Sequence, residues 1–323
     1  MKIIVVGLGS MGKRRIRLIR QYDSSIEILG VDTNETRAAE AGKEYGITVY
    51  KSINDAVSEN KIDAAFVSTS PLSHKSIIRE LIKNNINVFT EINLIQDGYE
   101  EFINEKKVKL FLSSTFLYRK DIQWIINKVN SKRCNYLYHT GQYLPDWHPW
   151  ENYKTFFVGD KRTNGCREIL AIEFPWIIKC FGNIKNVSVI KDKLSSLEIN
   201  YSDNYLIQIE HENGNKGQIA VDIVARKAIR RLEIFNEEFD IRWDGTPNSL
   251  QNYNLETKGF DTITTYQKID KDNRYCDNII ENAYMDEIDA FLSWLNGDNS
   301  KVLHNFESDK YILDWIDEIE ADN

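Results

Sequence analysis

Over roughly the first third of the chain, short apolar runs alternate with stretches that repeat apolar residues at helical spacing. Residues 2–6, Lys-Ile-Ile-Val-Val, form an apolar run closed by glycine, the pattern of a strand buried on both faces. Residues 11–21 place Ile16, Leu18 and Ile19 on one helix face. Further strands are predicted at 26–31, 47–50, 64–68, 87–90 and 109–113, and helices at 35–45, 55–60, 75–84 and 99–105. Strand–helix alternation of this kind calls for a parallel sheet covered by helices on both sides.

The pattern changes after about residue 118. A helix is predicted at 120–130 and another near 166–181. Strands of alternating character follow at 135–142, 184–189, 204–210, 217–224, 229–235 and 238–243. Asn213-Gly214 and Asp244-Gly245 are turn signals between some of them. Residues 246–275 are rich in Asn, Thr, Asp and Lys and read as loop; 284–295 and 309–319 read as amphipathic helices. The fold class expected is α/β: a Rossmann doubly wound parallel sheet over 1–118, then an α+β domain over 119–323 on a mostly antiparallel sheet. A chain of 323 residues suits two hydrophobic cores.

One motif carries chemistry at once. Gly7-Leu8-Gly9-Ser10-Met11-Gly12 matches GxGxxG, follows the first strand and opens the first helix. Gly7 permits the tight turn, Gly9 lets the backbone approach a pyrophosphate, and Gly12 lets helix and strand pack closely. The helix N-terminus then offers N–H groups and a partial positive charge to the phosphates. Asp32 ends the second strand, where a carboxylate accepts hydrogen bonds from the adenosine ribose and repels the 2′-phosphate of NADP. Thr33 and Asn34 follow without an Arg, so NAD is expected over NADP.

Charge and composition narrow the partners. Net charge is −8, without the basic stripe a nucleic-acid binder needs. The dense basic run Lys13, Arg14, Arg15, Arg17, Arg20 reads as a solvated face of the first helix. Cys134, Cys166, Cys180 and Cys276 have no CxxC spacing and no alternating His, so they read as reduced thiols, with no metal site. No apolar run approaches a membrane span, and no leader segment is visible, so a cytoplasmic place is expected.

The ordered series GLGSMGKRRIR, VSTSPLSH, VFTEINL and Tyr118-Arg119, with the late YMDEIDAFLSWLNG, resembles the Gfo/Idh/MocA family of NAD(P)-dependent oxidoreductases over nearly the whole chain. The resemblance implies that Thr69, Ser70 and Pro71 line the nicotinamide ribose and that His74 lies nearby; His74 could equally be a hydrogen-bonding residue of the helix start. It also places Glu91 at the cofactor. Where the family has Glu-Lys-Pro, this chain reads Glu91-Ile92-Asn93: Ile92 cannot move a proton, and Asn93 becomes a substrate-side candidate. The family's His on the later helix has no counterpart in the segment 164–176, although Glu168 and Glu173 lie near its place.

Proton transfer at an alcohol carbon must then come from elsewhere. Residues 142–150 hold Tyr143, Asp146, Trp147, His148 and Trp150, with Tyr153 beyond. His148 suits proton transfer at neutral pH, Asp146 could orient it, Trp147 or Trp150 could stack on a sugar ring, and Tyr143 joins Trp147 as a substrate-binding candidate; the alternative is a Pro-braced loop packed for structure. Glu173 is either a substrate ligand or half of an ion pair. Arg119 and Arg167 could hold an anionic substrate group, and Arg119 could instead tie structure together. The expected activity is NAD-dependent hydride transfer at a hydroxyl or keto carbon of a sugar, sugar acid or nucleotide sugar. The alternative is a non-catalytic dinucleotide-binding sensor of the same fold. An open face of the C-terminal sheet is expected to build a homodimer or homotetramer.

Overall fold

A computed structural model describes residues 1–149, 151–272 and 279–321. It divides into two compact units. The first comprises residues 1–114 and 284–311, the second 115–283 and 312–323. The sequence pattern suggested one break at residue 118; instead the chain returns, and most of the late helix belongs with the first unit.

In the first unit, β1 (Lys2–Val6), β2 (Glu27–Val31), β3 (Val49–Tyr50), β4 (Ala64–Val67), β5 (Asn87–Thr90) and β6 (Leu110–Leu112) form a parallel sheet in the order β3-β2-β1-β4-β5-β6. That is the Rossmann order, with its switch point between β1 and β4. The helices are α1 (Ser10–Tyr22), α2 (Glu35–Tyr45), α3 (Ile53–Glu59), α4 (Pro71–Lys83) and α5 (Tyr99–Asn104). Within the core, Phe89 stacks between Phe66 and Phe111, with centroids 4.6 and 4.9 Å away. Phe291, on α8 (Glu281–Leu295), meets Phe66 edge-on at 5.4 Å. This aromatic cluster is the physical reason that the late helix returns: its apolar stripe finds the rings of β4, β5 and β6.

The second unit holds an eight-stranded sheet. Its strands are β7 (Asn135–Gly141), β8 (Ile184–Asp192), β9 (Asn204–His211), β10 (Lys216–Asp222), β11 (Ile229–Phe235), β12 (Asp240–Trp243), β13 (Gln251–Asn254) and β14 (Gly259–Thr262). The order is β14-β13-β12-β11-β7-β10-β9-β8, antiparallel except where β7 runs parallel to β10. The helices α6 (Lys120–Val129) and α7 (Gly165–Phe181) cover one face, where Tyr136 stacks on Phe181 at 3.9 Å. The other face carries Leu137, Leu206 and Phe235, all exposed. β13 and β14 lie in the segment read as loop from sequence; every residue of β13 is half-buried, so no apolar alternation announces it. The cross-strand pair Tyr253 and Phe260 was the one signal there.

The last helix, α9 (Phe306–Glu320), begins in the first unit and ends in the second. No helix among the described residues is long and apolar enough to cross a membrane. Among those residues the free cysteines Cys134, Cys166 and Cys180 are buried, and no cluster suits a metal; Cys276 and Trp150 lie outside them.

Candidate dinucleotide site

The turn between β1 and α1 is built by its three glycines. Gly7 sits at φ +88°, and a Cβ there would lie 2.7 Å from the Ser68 carbonyl oxygen. A Cβ on Gly12 would lie 1.9 Å from the Gly7 carbonyl oxygen, so helix and turn touch backbone to backbone. Gly9 differs: nothing stands within 4 Å of where its Cβ would be. Packing therefore requires Gly7 and Gly12 but not Gly9, which borders open space. The first turn of α1 has no acidic residue and no side-chain cap, leaving its positive end to an external anion.

Asp32 closes the other side of the turn. Its Oδ2 accepts the Leu8 N–H at 2.8 Å, and its Oδ1 accepts the Asn34 N–H at 2.8 Å. Thr33 lies between them, just beyond the end of β2. Arg37, in the first turn of α2, also reaches Asp32, with Nε 3.2 Å from Oδ2. Reading only Thr33 and Asn34 missed this guanidinium, because one helical turn brings residue 37 back over residue 32.

After β4, Ser70 precedes α4 and Pro71 is its first residue, suited to a position where no N–H is needed. The Thr69 side chain accepts a hydrogen bond from Ser73 at 2.9 Å. His74 is buried; its Nε2 meets the Thr69 carbonyl oxygen at 3.1 Å and its Nδ1 the side-chain amide of Asn93. Burial holds its pKa below the usual histidine value, so the ring is neutral at pH 7.

Beneath the turn, Arg15 is fully buried and binds Glu91 through Nε (2.6 Å) and Nη2 (2.9 Å). Nη2 also meets Glu287 at 3.0 Å, and Glu287 accepts Ser113 Oγ and Ser114 N–H, each at 2.8 Å. Burial alone would lower the Arg15 pKa, but the Glu91 and Glu287 carboxylates outweigh it and raise it. Burial pushes the Glu287 carboxyl up, with Arg15 opposing. One expectation changes here. The basic run is not a solvated face, since Arg14 and Arg15 are buried. Glu91, expected at the cofactor from the resemblance, has both oxygens bound by Arg15.

In the second unit most charged candidates are bound by neighbours. Glu173 Oε2 accepts Tyr138 Oη (2.8 Å) and Trp176 Nε1 (2.7 Å), while Oε1 pairs with Arg230 Nε at 3.0 Å. Of its two readings, the ion pair is the one formed. Arg167 binds Glu320 at 2.5 Å and Asp317 at 2.6 Å, tying the start of α7 to the end of α9. Arg119 is buried, forks onto Asp121 at 2.9 and 2.6 Å and donates to the Gly245 carbonyl at 2.9 Å.

In the loop after β7, Trp147 donates to the Gln142 carbonyl at 3.0 Å, and the Tyr143 ring lies 4.0 Å from the Arg226 guanidinium carbon. Asp146 is exposed, and no hydrogen bond joins it to His148 among the described residues. His148 packs on Phe156 at 4.8 Å, and burial lowers its pKa. Glu168, on the first turn of α7, has an Oε2 that is buried with no hydrogen-bond partner among the described residues. Burial pushes its carboxyl up to about 8.

Residues 1–92 match the family described as "Oxidoreductase family, NAD-binding Rossmann fold", GFO_IDH_MocA. Over these 92 residues the chain is similar to the Gfo/Idh/MocA oxidoreductases. That match ends at Ile92, the position where the family's usual lysine is missing. No curated protein matches the chain. Solved structures share the fold over both units. An oxidoreductase from Agrobacterium radiobacter, in complex with NAD+, L-tartaric acid and magnesium, is 15% identical with a TM-score of 0.78, covering 100% of this chain and 96% of that one. UDP-N-acetylglucosamine 3-dehydrogenase from Acidithiobacillus ferrooxidans is 15% identical, TM-score 0.76, covering 99% and 96%. A myo-inositol dehydrogenase from Corynebacterium glutamicum is 16% identical, TM-score 0.73, covering 99% and 95%. The first unit carries the glycine turn and Asp32, and both fit a bound NAD: the open space at Gly9 admits a diphosphate, and the Asp32 carboxylate suits ribose hydroxyls.

Proposed function

We propose that the protein is an NAD-dependent oxidoreductase acting on a hydroxyl or keto carbon of a sugar, sugar acid or nucleotide sugar. The observation that carries this reading is Gly9: its Cβ position is open, so packing does not require a glycine there, whereas the close approach of a diphosphate to the backbone would. The family match over residues 1–92 supports it, as do similar structures described as a nucleotide-sugar dehydrogenase and an inositol dehydrogenase.

Bound NAD supplies the hydride acceptor. Gly7 to Gly12 would hold its diphosphate, Asp32 and Thr33 the adenosine ribose, and Thr69, Ser70 and Pro71 the nicotinamide side. The protein must then take the alcohol proton without the usual lysine. His148, neutral at pH 7, can accept one, and Glu168, protonated there, can give one. Glu173, Arg119 and Arg167 hold the second unit in shape, and Tyr143 and Trp147 remain the groups for a sugar face. We place the protein in the cytoplasm as a homodimer or homotetramer assembled on the open sheet face.

A specific observation favours a second reading, a dinucleotide-binding sensor without turnover: Ile92 stands in place of lysine, and Glu173, Arg119 and Arg167 are bound by neighbours. Incubation of the protein and NAD+ with a panel of sugars, sugar acids and uridine-diphosphate sugars, read by nicotinamide absorbance, separates the two. Reduction with at least one member, slowed by His148→Ala or Glu168→Gln, is expected of the enzyme. Tight NAD binding with no turnover of any member would favour the sensor.

A further inference from the structure

The imidazole of His74 meets the Thr69 carbonyl and the Asn93 amide, which cannot both be acceptors to a neutral ring, and the Thr90 hydroxyl stands 3.3 Å from its Nδ1. Its Nε2 faces the Thr69 carbonyl oxygen, which only accepts, so Nε2 carries the proton. A neutral ring then has a bare Nδ1, yet that nitrogen faces an amide atom of Asn93 assigned as oxygen. A bare Nδ1 calls for a donor, so the hydrogen-bond network asks for the amide nitrogen inward. His74 is 2% exposed and Asn93 3% exposed, so an inward clash of two lone pairs would be costly. Turned this way, the amide directs its oxygen outward, where no hydrogen bond from the described residues occupies it.

Strand order says what passes that oxygen. Asp32 follows β2, the glycine turn follows β1, Thr69 follows β4, and Asn93 follows β5, along the sequence β2-β1-β4-β5. A dinucleotide with its adenosine ribose on Asp32 and its diphosphate at Gly9 therefore runs its other half across β4 toward β5. The two strand spacings from β1 to β5 amount to about 10 Å. The chain of contacts is continuous: a Cβ on Gly7 would lie 2.8 Å from Thr69 Cγ2, Thr69 binds His74, and His74 binds Asn93.

We infer that Asn93 binds the nicotinamide half of the dinucleotide, its amide oxygen accepting from the carboxamide NH2, and that His74 is the positioning residue that turns the amide outward. This rests on the proposed NAD site and adds a residue that fixes the ring there. The alternative arrangement, an imidazolium donating to an inward oxygen, would leave an outward NH2 that recognises a carbonyl instead.

The test compares NAD+ with its 3-acetylpyridine analogue, which keeps the carbonyl and lacks the NH2. Calorimetry of the full chain should give about five- to ten-fold weaker binding of the analogue. Asn93→Ala should bring the two affinities together, and Asn93→Asp, which keeps an outward acceptor, should preserve the gap. His74→Leu should narrow the gap with NAD+ still bound, a change that mere loss of packing would not cause. Equal affinities in the unaltered protein, or a gap that survives Asn93→Ala, would overturn the inference while leaving the NAD site standing. Absence of binding by either dinucleotide would instead overturn the site itself.

Discussion

Arg15 and Glu91 form a two-pronged ion pair beneath the glycine turn, with Nε to Oε1 at 2.6 Å and Nη2 to Oε2 at 2.9 Å. A second carboxylate, Glu287, meets the same guanidinium, and the Arg15 side chain is fully buried. Removing the cation would leave two carboxylates facing each other out of water. Arg15→Met is expected to lower stability by about 3–5 kcal/mol, read as a shift in the urea midpoint. Arg15→Lys should recover only part, because an ammonium cannot reproduce the fork. An unchanged midpoint in Arg15→Met would show that the network contributes nothing net.

Asp32 faces two ways at the end of β2, toward the Leu8 amide and toward the Arg37 guanidinium. Its charge should still exclude a 2′-phosphate, with Arg37 softening that exclusion. Asp32→Ala is expected to weaken NAD binding about ten-fold and to narrow the NAD-over-NADP preference, and Arg37→Ala to widen it. Titration of both nucleotides against each variant checks the pair of opposite shifts.

How much of this was legible beforehand depends on what local sequence can encode. Every strand and helix of the first unit was signalled by apolar runs and turn residues, and the glycine turn named its own ligand. Glu287 as a partner of Arg15 was not legible: the two lie far apart in sequence, and neither half of a buried ion pair announces the other. The late helix looked merely amphipathic, so its return to the first unit went unseen, as did the burial of Arg14 and Arg15. β13 and β14, the last two strands at one end of the sheet, were missed because their residues are half-buried or exposed and lack the two-residue apolar period. Glu173 was noticed as an acid on an apolar helix, but Tyr138 and Arg230 arrive from different strands and only the fold brings them to it.

Glu168 gives a pH signature. Burial raises its carboxyl to about 8, so the folded chain holds a proton that the unfolded chain releases near the usual glutamate range. Folding is then most favoured, as far as this group goes, below the unfolded pKa, and stability falls as pH rises toward about 8. Glu168→Gln should remove that fall. Its stability relative to the unaltered protein should grow between pH 5 and pH 9 by on the order of 1–4 kcal/mol, measured by denaturant titration at each pH. A difference that stays flat across that interval would mean that the carboxyl ionises as in water.

The uncovered sheet face bears Leu137, Leu206 and Phe235 at 43%, 48% and 38% exposure, an apolar set whose exposure in a monomer needs a reason. Mass measurement in solution should find a dimer or tetramer at micromolar concentration. Leu137→Lys combined with Leu206→Asp should shift it toward monomer without loss of secondary structure. A monomer in the unaltered protein would remove this face from the account of assembly.

The most direct test of the dinucleotide site uses the glycine that packing does not need. Nothing lies within 4 Å of a Cβ built at Gly9, so Gly9→Val should leave the protein folded, with only the modest loss in thermal midpoint that a poorer helix N-cap brings. Calorimetry with NAD+ should show binding by the unaltered protein and a loss of about ten-fold or more in Gly9→Val, because the added methyl groups occupy the diphosphate's place. Equal affinity in the two proteins, or no heat of binding in the unaltered one, would contradict the account.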